Sequence, residues 1–323
     1  MTLEWVQRWY RKSGDPELRT VLEVQSAVCT FIRDYLASHR FLEMLPPIIG
    51  PVTDPGIRGA RQATIDFYGR DYKVMSSAIL YKQMMANSLG KVFFFSPNVR
   101  LEPLETVRTK RHLVEFFQVD IEQASASYED AMRLAEGLVV HVLKAIKREK
   151  AEEIDALGRP LRVPSRPFKK LTHREAVDIL RSDGREADPS QEISWEDEEF
   201  LSQMFEEPFF IHDYPMGSRG FYDREDAARP GILRDFDLLY PEGYGEAVSG
   251  AEREHDYERV RVRMLAIGED PSAYGWYMDM LKDGISPSAG FGIGVERLTR
   301  FICGLDAVWE ARPYPKVAGV VSP

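Results

Sequence analysis

Two amphipathic stretches, at about 15–39 and 127–150, enclose a run of short extended segments. That order opposes the alternating strand–helix pattern of a doubly wound parallel fold. It predicts helices laid against an antiparallel sheet, the α+β class. In the first stretch Leu18, Val21, Leu22, Val28, Ile32 and Leu36 recur near helical spacing, behind an Asp15-Pro16 start that combines an N-cap with a first-turn proline. In the second, Tyr128, Met132, Leu134, Leu138, Val142, Leu143 and Ile146 mark one apolar face. Between them, 72–75, 92–95 and 116–121 read as strands. The last two bracket a polar loop at 102–111, which predicts a hairpin. Leu45-Pro46-Pro47-Ile48-Ile49 is held extended by its prolines, and the Gly-, Asp- and Arg-rich 52–63 reads as a mobile loop.

Residues 151–206 are charged and helical in two pieces, the second opening on the capping-box-like Ser194-Trp195-Glu196-Asp197. Strand signals return at 208–211 and 235–239. Asp270-Pro271 opens another helix, and a last one covers about 293–303. No internal repeat and no Gly/Ser linker divides the chain, so 1–323 is expected to form one domain, with 151–206 as an insertion along a sheet edge.

Charge and composition narrow the function. The net charge is −10, from 42 Lys and Arg against 52 Asp and Glu, which opposes a broad nucleic-acid footprint while leaving room for a local basic groove. No apolar run approaches the ~18 residues of a membrane span. Residues 1–16 carry Glu, Arg, Lys and Asp where a signal peptide has an apolar core. Cys29 and Cys303 are too few for a disulfide framework or a four-ligand zinc site, so a reducing cytoplasm is expected.

Three constellations carry chemistry. Asn98-Val99-Arg100-Leu101-Glu102 precedes Arg111-His112-Leu113-Val114-Glu115-Phe116, and on a strand Arg100 and Glu102 share a face. An Arg there can take a phosphate, while Arg108, Lys110, Arg111 and His112 give the loop four potential cations suited to a polyphosphate. Gly290-Phe291-Gly292-Ile293-Gly294-Val295-Glu296-Arg297 alternates glycine so that a ligand or backbone can approach closely, and places Arg297 one helical turn in. Its spacing is not that of a dinucleotide fingerprint. Asp237, Glu246 and Ser249 are hard oxygen donors suited to Mg²⁺, and Arg253 suits a carboxylate. Each constellation alone is commonly a solvated surface.

Together they resemble motifs 2 and 3 of the class II aminoacyl-tRNA synthetases, with the 15–39 helix, Arg40-Phe41 and Pro46-Pro47 similar to motif 1. Ser77-Ala-Ile-Leu-Tyr-Lys82-Gln83 resembles the aspartate-site helix of the aspartyl/asparaginyl branch. Leu239 to Glu246, Arg253-Glu254 and Ser288 to Gly294 are similar to asparaginyl enzymes. Synthetases of this branch carry an anticodon-binding OB barrel ahead of motif 1, whereas a short segment precedes the helix here. That form, with Ser96 to Glu102, Phe221-Tyr-Asp-Arg-Glu225 and Pro287-Ser-Ala-Gly290, resembles the archaeal-type asparagine synthetases.

The resemblance implies an AMP-forming ligase that activates the aspartate β-carboxylate with ATP and Mg²⁺ and amidates it with ammonia. It also implies a homodimer, and the acidic balance and missing barrel count against tRNA as a partner. Arg100 would clamp the α-phosphate, with Phe116 and Arg297 on either face of adenine and Glu102 at its side. His112 with Arg108 or Arg111 would reach the outer phosphates, and Gly292 and Gly294 would line the nucleotide site. Asp237, Glu246 and Ser249 would hold the metal. Lys82 and Arg253 would bind a carboxylate, with Ser77, Gln118 and Asp120 around the amino group and Gly250 and Gly290 beside them. Ile79 stands where the branch has glutamine, and Asp54 or Gln62 stands in for a loop glutamate. Two alternatives remain: a ligase of the same fold joining aspartate or a similar acid to another amine or to tRNA, and a non-catalytic sensor of amino acid or ATP.

Overall fold

The computed structural model describes residues 4–323; Met1 to Leu3, part of the segment read above as no signal peptide, lie outside the described residues. The described residues form eleven strands: β1 (Leu42–Glu43), β2 (Ile49–Gly50), β3 (Thr64–Asp66), β4 (Asp71–Val74), β5 (Lys91–Val99), β6 (Glu115–Ala124), β7 (Lys169–Thr172), β8 (Phe209–His212), β9 (Asp235–Tyr240), β10 (Gly245–Glu252) and β11 (Ser288–Gly294). Eight of them make one sheet in the order β1-β5-β6-β11-β10-β9-β8-β7, and β2-β4-β3 make a second, small one. The expected hairpin is the β5–β6 pair, antiparallel in register from Lys91↔Gln123 to Val99↔Glu115. The sheet is not antiparallel throughout. Both edge pairs, β1–β5 and β7–β8, are parallel, because each edge strand is joined to its neighbour by a crossover long enough to contain helix.

The helices are α1 (Glu4–Gln7), α2 (Pro16–Ser38), α3 (Ile79–Leu89), α4 (Tyr128–Glu149), α5 (Ala151–Ala156), α6 (His173–Ser182), α7 (Trp195–Gln203), α8 (Tyr257–Ala266), α9 (Gly275–Asp283) and α10 (Val295–Cys303). The Asp15 side chain accepts from Glu17 N at the start of α2, with Pro16 in the first turn, as the sequence predicts. Ser127 and Asp130 form a capping box on α4. The 151–206 segment differs from expectation: it holds three helices, α5 to α7, and the edge strand β7. That strand is disguised in the sequence because Lys-Lys-Leu-Thr offers Leu171 as its single buried residue.

Side-chain alternation along the central strands sets the layers. On β6, Phe117, Val119 and Ile121 turn toward α2, α4 and α10 and join an apolar core with Val28, Ile32, Leu138, Val142, Phe291 and Leu298. The opposite face of β6 carries Phe116, Gln118, Asp120 and Glu122. One face is dry and packed; the other is a polar floor.

Candidate active site

The polar floor explains the alternating glycines. Gly290, Gly292 and Gly294 of β11 pair with Glu122, Asp120 and Gln118 of β6. A Cβ on Gly292 would stand 1.7 Å from Gln118 Nε2, and one on Gly290 would stand 2.1 Å from Glu122 Oε2. The glycines therefore clear space for a row of polar side chains, and Gly292 and Gly294 remain open to a cavity of about 330 Å³ above them. Gly290 is outside that lining. It serves Glu122, and its carbonyl accepts from Arg253 Nη2 at 2.9 Å. Next to β11, β10 adds Ser249 and Gly250 to the lining.

Arg100 lines the cavity, donates through Nε to Ser76 O at 3.1 Å and lies 5.1 Å from the Phe116 ring centroid. Arg297, in the first turn of α10, lies 3.1 Å from Glu246 Oε1. Phe116 and Arg297 thus line one chamber, and Glu102 lies beside them, its carboxyl raised by burial against the pull of Arg100 and Arg297. A flat aromatic ligand fits between a ring and a guanidinium.

Further along stands a ring of charge the sequence reading found only in part. Arg58 lies 2.8 Å from Glu192, 3.1 Å from Glu198, 3.7 Å from Glu246 and 3.9 Å from Asp237. Arg219 donates to Asp237 Oδ2 at 2.6 Å and to Ser249 Oγ at 3.3 Å. Arg111 donates to Glu198 Oε2 at 2.7 Å. Burial would raise the Glu246 carboxyl, but Arg297, Arg58, Arg111 and Arg219 hold it below the usual range. Burial lifts the Glu192 carboxyl to about 7 despite Arg219 and Arg58, with Asp237 and Glu198 adding to the rise.

Several expected roles change in this setting. His112 is no cation: burial, then the neighbouring Arg297 and Arg111, push it down to about 2, and its Nδ1 bonds Thr109 Oγ1 at 2.6 Å. Arg108 stays on the exposed surface outside the cavity lining. The expected metal trio is rearranged. Asp237 clusters with Glu192 and Glu198, their carboxylate oxygens within 4.8 Å of one another, while Glu246 is drawn toward Arg297 and Ser249 accepts from Arg219. Asp54 does face the cavity, accepting from Tyr222 Oη at 2.7 Å, whereas Gln62 is spent on the Asp54 carbonyl.

The far end is walled by Ser77, Ile79, Lys82, Asp120, Asp223 and Arg253. Lys82, 1% exposed, donates to Asp120 Oδ1 and to Phe291 O, both at 3.0 Å. Arg253 was expected to be free for a carboxylate. Its guanidinium is instead held between Glu122, at 3.2 Å, and Asp223, at 2.9 Å. Gln118 accepts from Asn98 Nδ2 at 3.1 Å and bridges the two ends of the floor.

This geometry has close counterparts. The profile of the family described as tRNA synthetases class II (D, K and N) matches residues 2–318. The chain belongs to this family. The asparagine–tRNA ligase of Symbiobacterium thermophilum is 33% identical over 313 residues, which is 94% of this chain and 70% of that relative. The asparagine–tRNA ligase of Thermococcus gammatolerans is 32% identical, covering 95% and 71%. Among solved structures, the asparaginyl-tRNA synthetase of Pyrococcus horikoshii complexed with asparaginyl-adenylate matches with a TM-score of 0.93 at 30% identity, covering 98% of this chain and 73% of that one.

For this class II synthetase, two expectations are overturned. The argument against tRNA as a partner fails, because the relatives that match along 94–95% of the chain are themselves tRNA ligases. Net charge misled here: it averages over the whole surface and carries no information on a local groove. The narrower likeness to asparagine synthetases is likewise unsupported by these relatives, whereas an AMP-forming, ATP-using ligase core is supported. Among the described residues no helix is long and apolar enough to cross a membrane.

Proposed function

We propose that this class II synthetase adenylylates a small amino acid of the asparagine/aspartate type with ATP and passes the acyl group to a tRNA. The observation that carries the reading is the likeness, over nearly the entire chain, to a synthetase that holds asparaginyl-adenylate, combined with a cavity whose two ends suit an adenine and an amino acid.

The roles follow from position. Adenine lies between Phe116 and Arg297, with Glu102 at its edge. Arg100 faces the α-phosphate and stabilises the charge that grows as a substrate carboxylate oxygen attacks phosphorus and the bond to pyrophosphate breaks. Gln118, in mid-floor, is placed to donate to the acyl carbonyl. In the second step a tRNA hydroxyl attacks the acyl carbon, releasing AMP and a proton. Asp237, Glu192 and Glu198 offer only hard oxygens, a donor set that fits Mg²⁺, and the ion when bound would supply charge neutralisation to the triphosphate.

The test is to supply ATP, Mg²⁺, asparagine or aspartate, and tRNA, and to measure pyrophosphate, AMP and acid-precipitable aminoacyl-tRNA. Amino-acid-dependent pyrophosphate release with tRNA acylation is the expected result. Free asparagine made from aspartate and ammonium, with no tRNA acylated, would replace the acceptor in this reading. Arg100→Ala should lower the adenylation rate by about 10²- to 10³-fold with an unchanged circular dichroism spectrum; near-normal turnover would remove Arg100 from its role.

A further inference from the structure

The amino-acid end of the cavity contains more acceptors than its cations can use. Lys82 and Arg253 face Asp120, Glu122 and Asp223, and all five are buried. Arg253 is spent: Nε donates to Glu122 at 3.2 and 3.3 Å, Nη2 to Glu122 Oε2 at 3.3 Å and Gly290 O at 2.9 Å, and Nη1 to Asp223 Oδ1 at 2.9 Å. Glu122 is completed by Ser288 Oγ at 2.8 Å and takes no part in the cavity lining. Asp223 does line it, and among the described residues only its Oδ1 is hydrogen-bonded. In the same lining, Asp120 Oδ2 is buried with no hydrogen-bond partner.

Asp223 is also fixed in place. Its backbone bridges that of Arg253 as a single antiparallel rung, and its carbonyl accepts from Arg263. Burial raises its carboxyl while Arg253 and Arg263 pull it back. A rigid, half-used carboxylate at the end of a substrate cavity has one evident use: accepting from an N–H of the ligand. A ligand carboxylate placed there would face Asp223 as a like charge and find Arg253 already engaged.

We infer that Asp223 is a specificity-determining residue that accepts a hydrogen bond from a nitrogen at the end of the amino acid remote from the reacting carboxylate. The inference rests on the adenylating reading and deepens it. Two substrates supply such a nitrogen: asparagine, through its side-chain amide, and aspartate turned round, through its α-ammonium.

The experiment measures ATP–pyrophosphate exchange with asparagine and with aspartate for the wild type and for Asp223→Asn, which keeps an oxygen for Arg253. Hydroxylamine then traps the activated acyl group. An α-hydroxamate identifies asparagine activated at its α-carboxylate; a β-aspartyl hydroxamate identifies the turned aspartate. The expected result is a KM for the preferred amino acid raised about tenfold or more in Asp223→Asn, an ATP KM left unchanged, and new α-hydroxamate from aspartate bound in the forward sense. Should Asp223→Asn prove insoluble, Asp223→Ser must show the same change of preference. An active variant whose asparagine-to-aspartate preference is unchanged overturns the assignment alone, since simple loosening lowers both in proportion. No exchange by the wild type with any amino acid overturns the adenylating reading and the assignment with it.

Discussion

Arg58→Met removes one guanidinium from among Glu192, Glu198, Glu246 and Asp237, all within 4 Å of it. Losing one partner of a buried ion pair costs about 3–5 kcal/mol, because the remaining charges stay desolvated. Arg58 retains 26% side-chain exposure, so the lower figure, about 3 kcal/mol, applies. Glu192, lifted to about 7 even beside Arg58, rises further once that guanidinium is gone and relieves part of the excess by taking a proton, so about 3 kcal/mol is the ceiling of the loss at pH 8. At roughly 1.5 °C per kcal/mol for a chain of this size, the midpoint should fall by up to about 4–5 °C. A divalent ion at about 100 times its dissociation constant returns about 2.7 kcal/mol to a protein that binds it only when folded. Melting curves at pH 8 with and without Mg²⁺ test both halves. The variant should melt low without metal and gain more from Mg²⁺ than the wild type does, because its carboxylates have one competing cation fewer. A midpoint within about 1 °C of wild type without metal, or equal Mg²⁺ shifts in the two proteins, would refute the reasoning.

Two other outcomes follow from the same floor. Burial lifts the Glu296 carboxyl from 4.5 to about 7 against the pull of Arg312, so between those values the folded chain holds a proton that the unfolded chain has released. Stability should therefore fall as pH rises across that window, by up to about 3 kcal/mol for this group. Glu296→Gln should flatten the slope in denaturant titrations, and an unaltered slope would contradict the assignment. Gly292→Ala puts a methyl into the space of Gln118 Nε2. The fold should lose no more than about 1–3 kcal/mol, as Gln118 swings aside, while the amino-acid KM rises about tenfold or more; an unchanged KM would show that Gln118 does not meet the substrate.

What was legible in the sequence had local signals. Asp15-Pro16 and Ser127 announce helix starts, and the apolar faces of α2 and α4 repeat at helical spacing. The β5–β6 hairpin stands out because long apolar strands flank a polar loop. By contrast β10 reads Gly-Glu-Ala-Val-Ser-Gly-Ala-Glu, small and acidic residues that imitate a turn, with a register shift between Glu246 and Val248. β7 is hidden by having few apolar residues in a charged context, and α8 by Arg259, Arg261 and Arg263 alternating with Val260, Val262 and Met264, a period that imitates a strand. In the site, Arg100, Phe116, Gln118, Glu246 and Arg297 line one cavity. Arg58, Glu192, Glu198, Arg219 and Asp223 carry no assigned role in the sequence, because they come from separate segments, with only Arg219 and Asp223 sharing a loop, and the fold alone brings them together. In the sequence Glu192 and Glu198 belong to the charged insertion expected along a sheet edge. Nothing in one-dimensional spacing separates a carboxylate facing solvent from one facing Arg58.

The account depends on one cavity holding a purine at one end and an amino acid at the other. A crystal structure with a non-hydrolysable aminoacyl-adenylate analogue examines that directly. The purine should stack between Phe116 and Arg297, the phosphate mimic should meet Arg100, and the amino-acid end should reach Asp223. A ligand lodged elsewhere, or a purine directed toward Lys82 and Arg253, would contradict it.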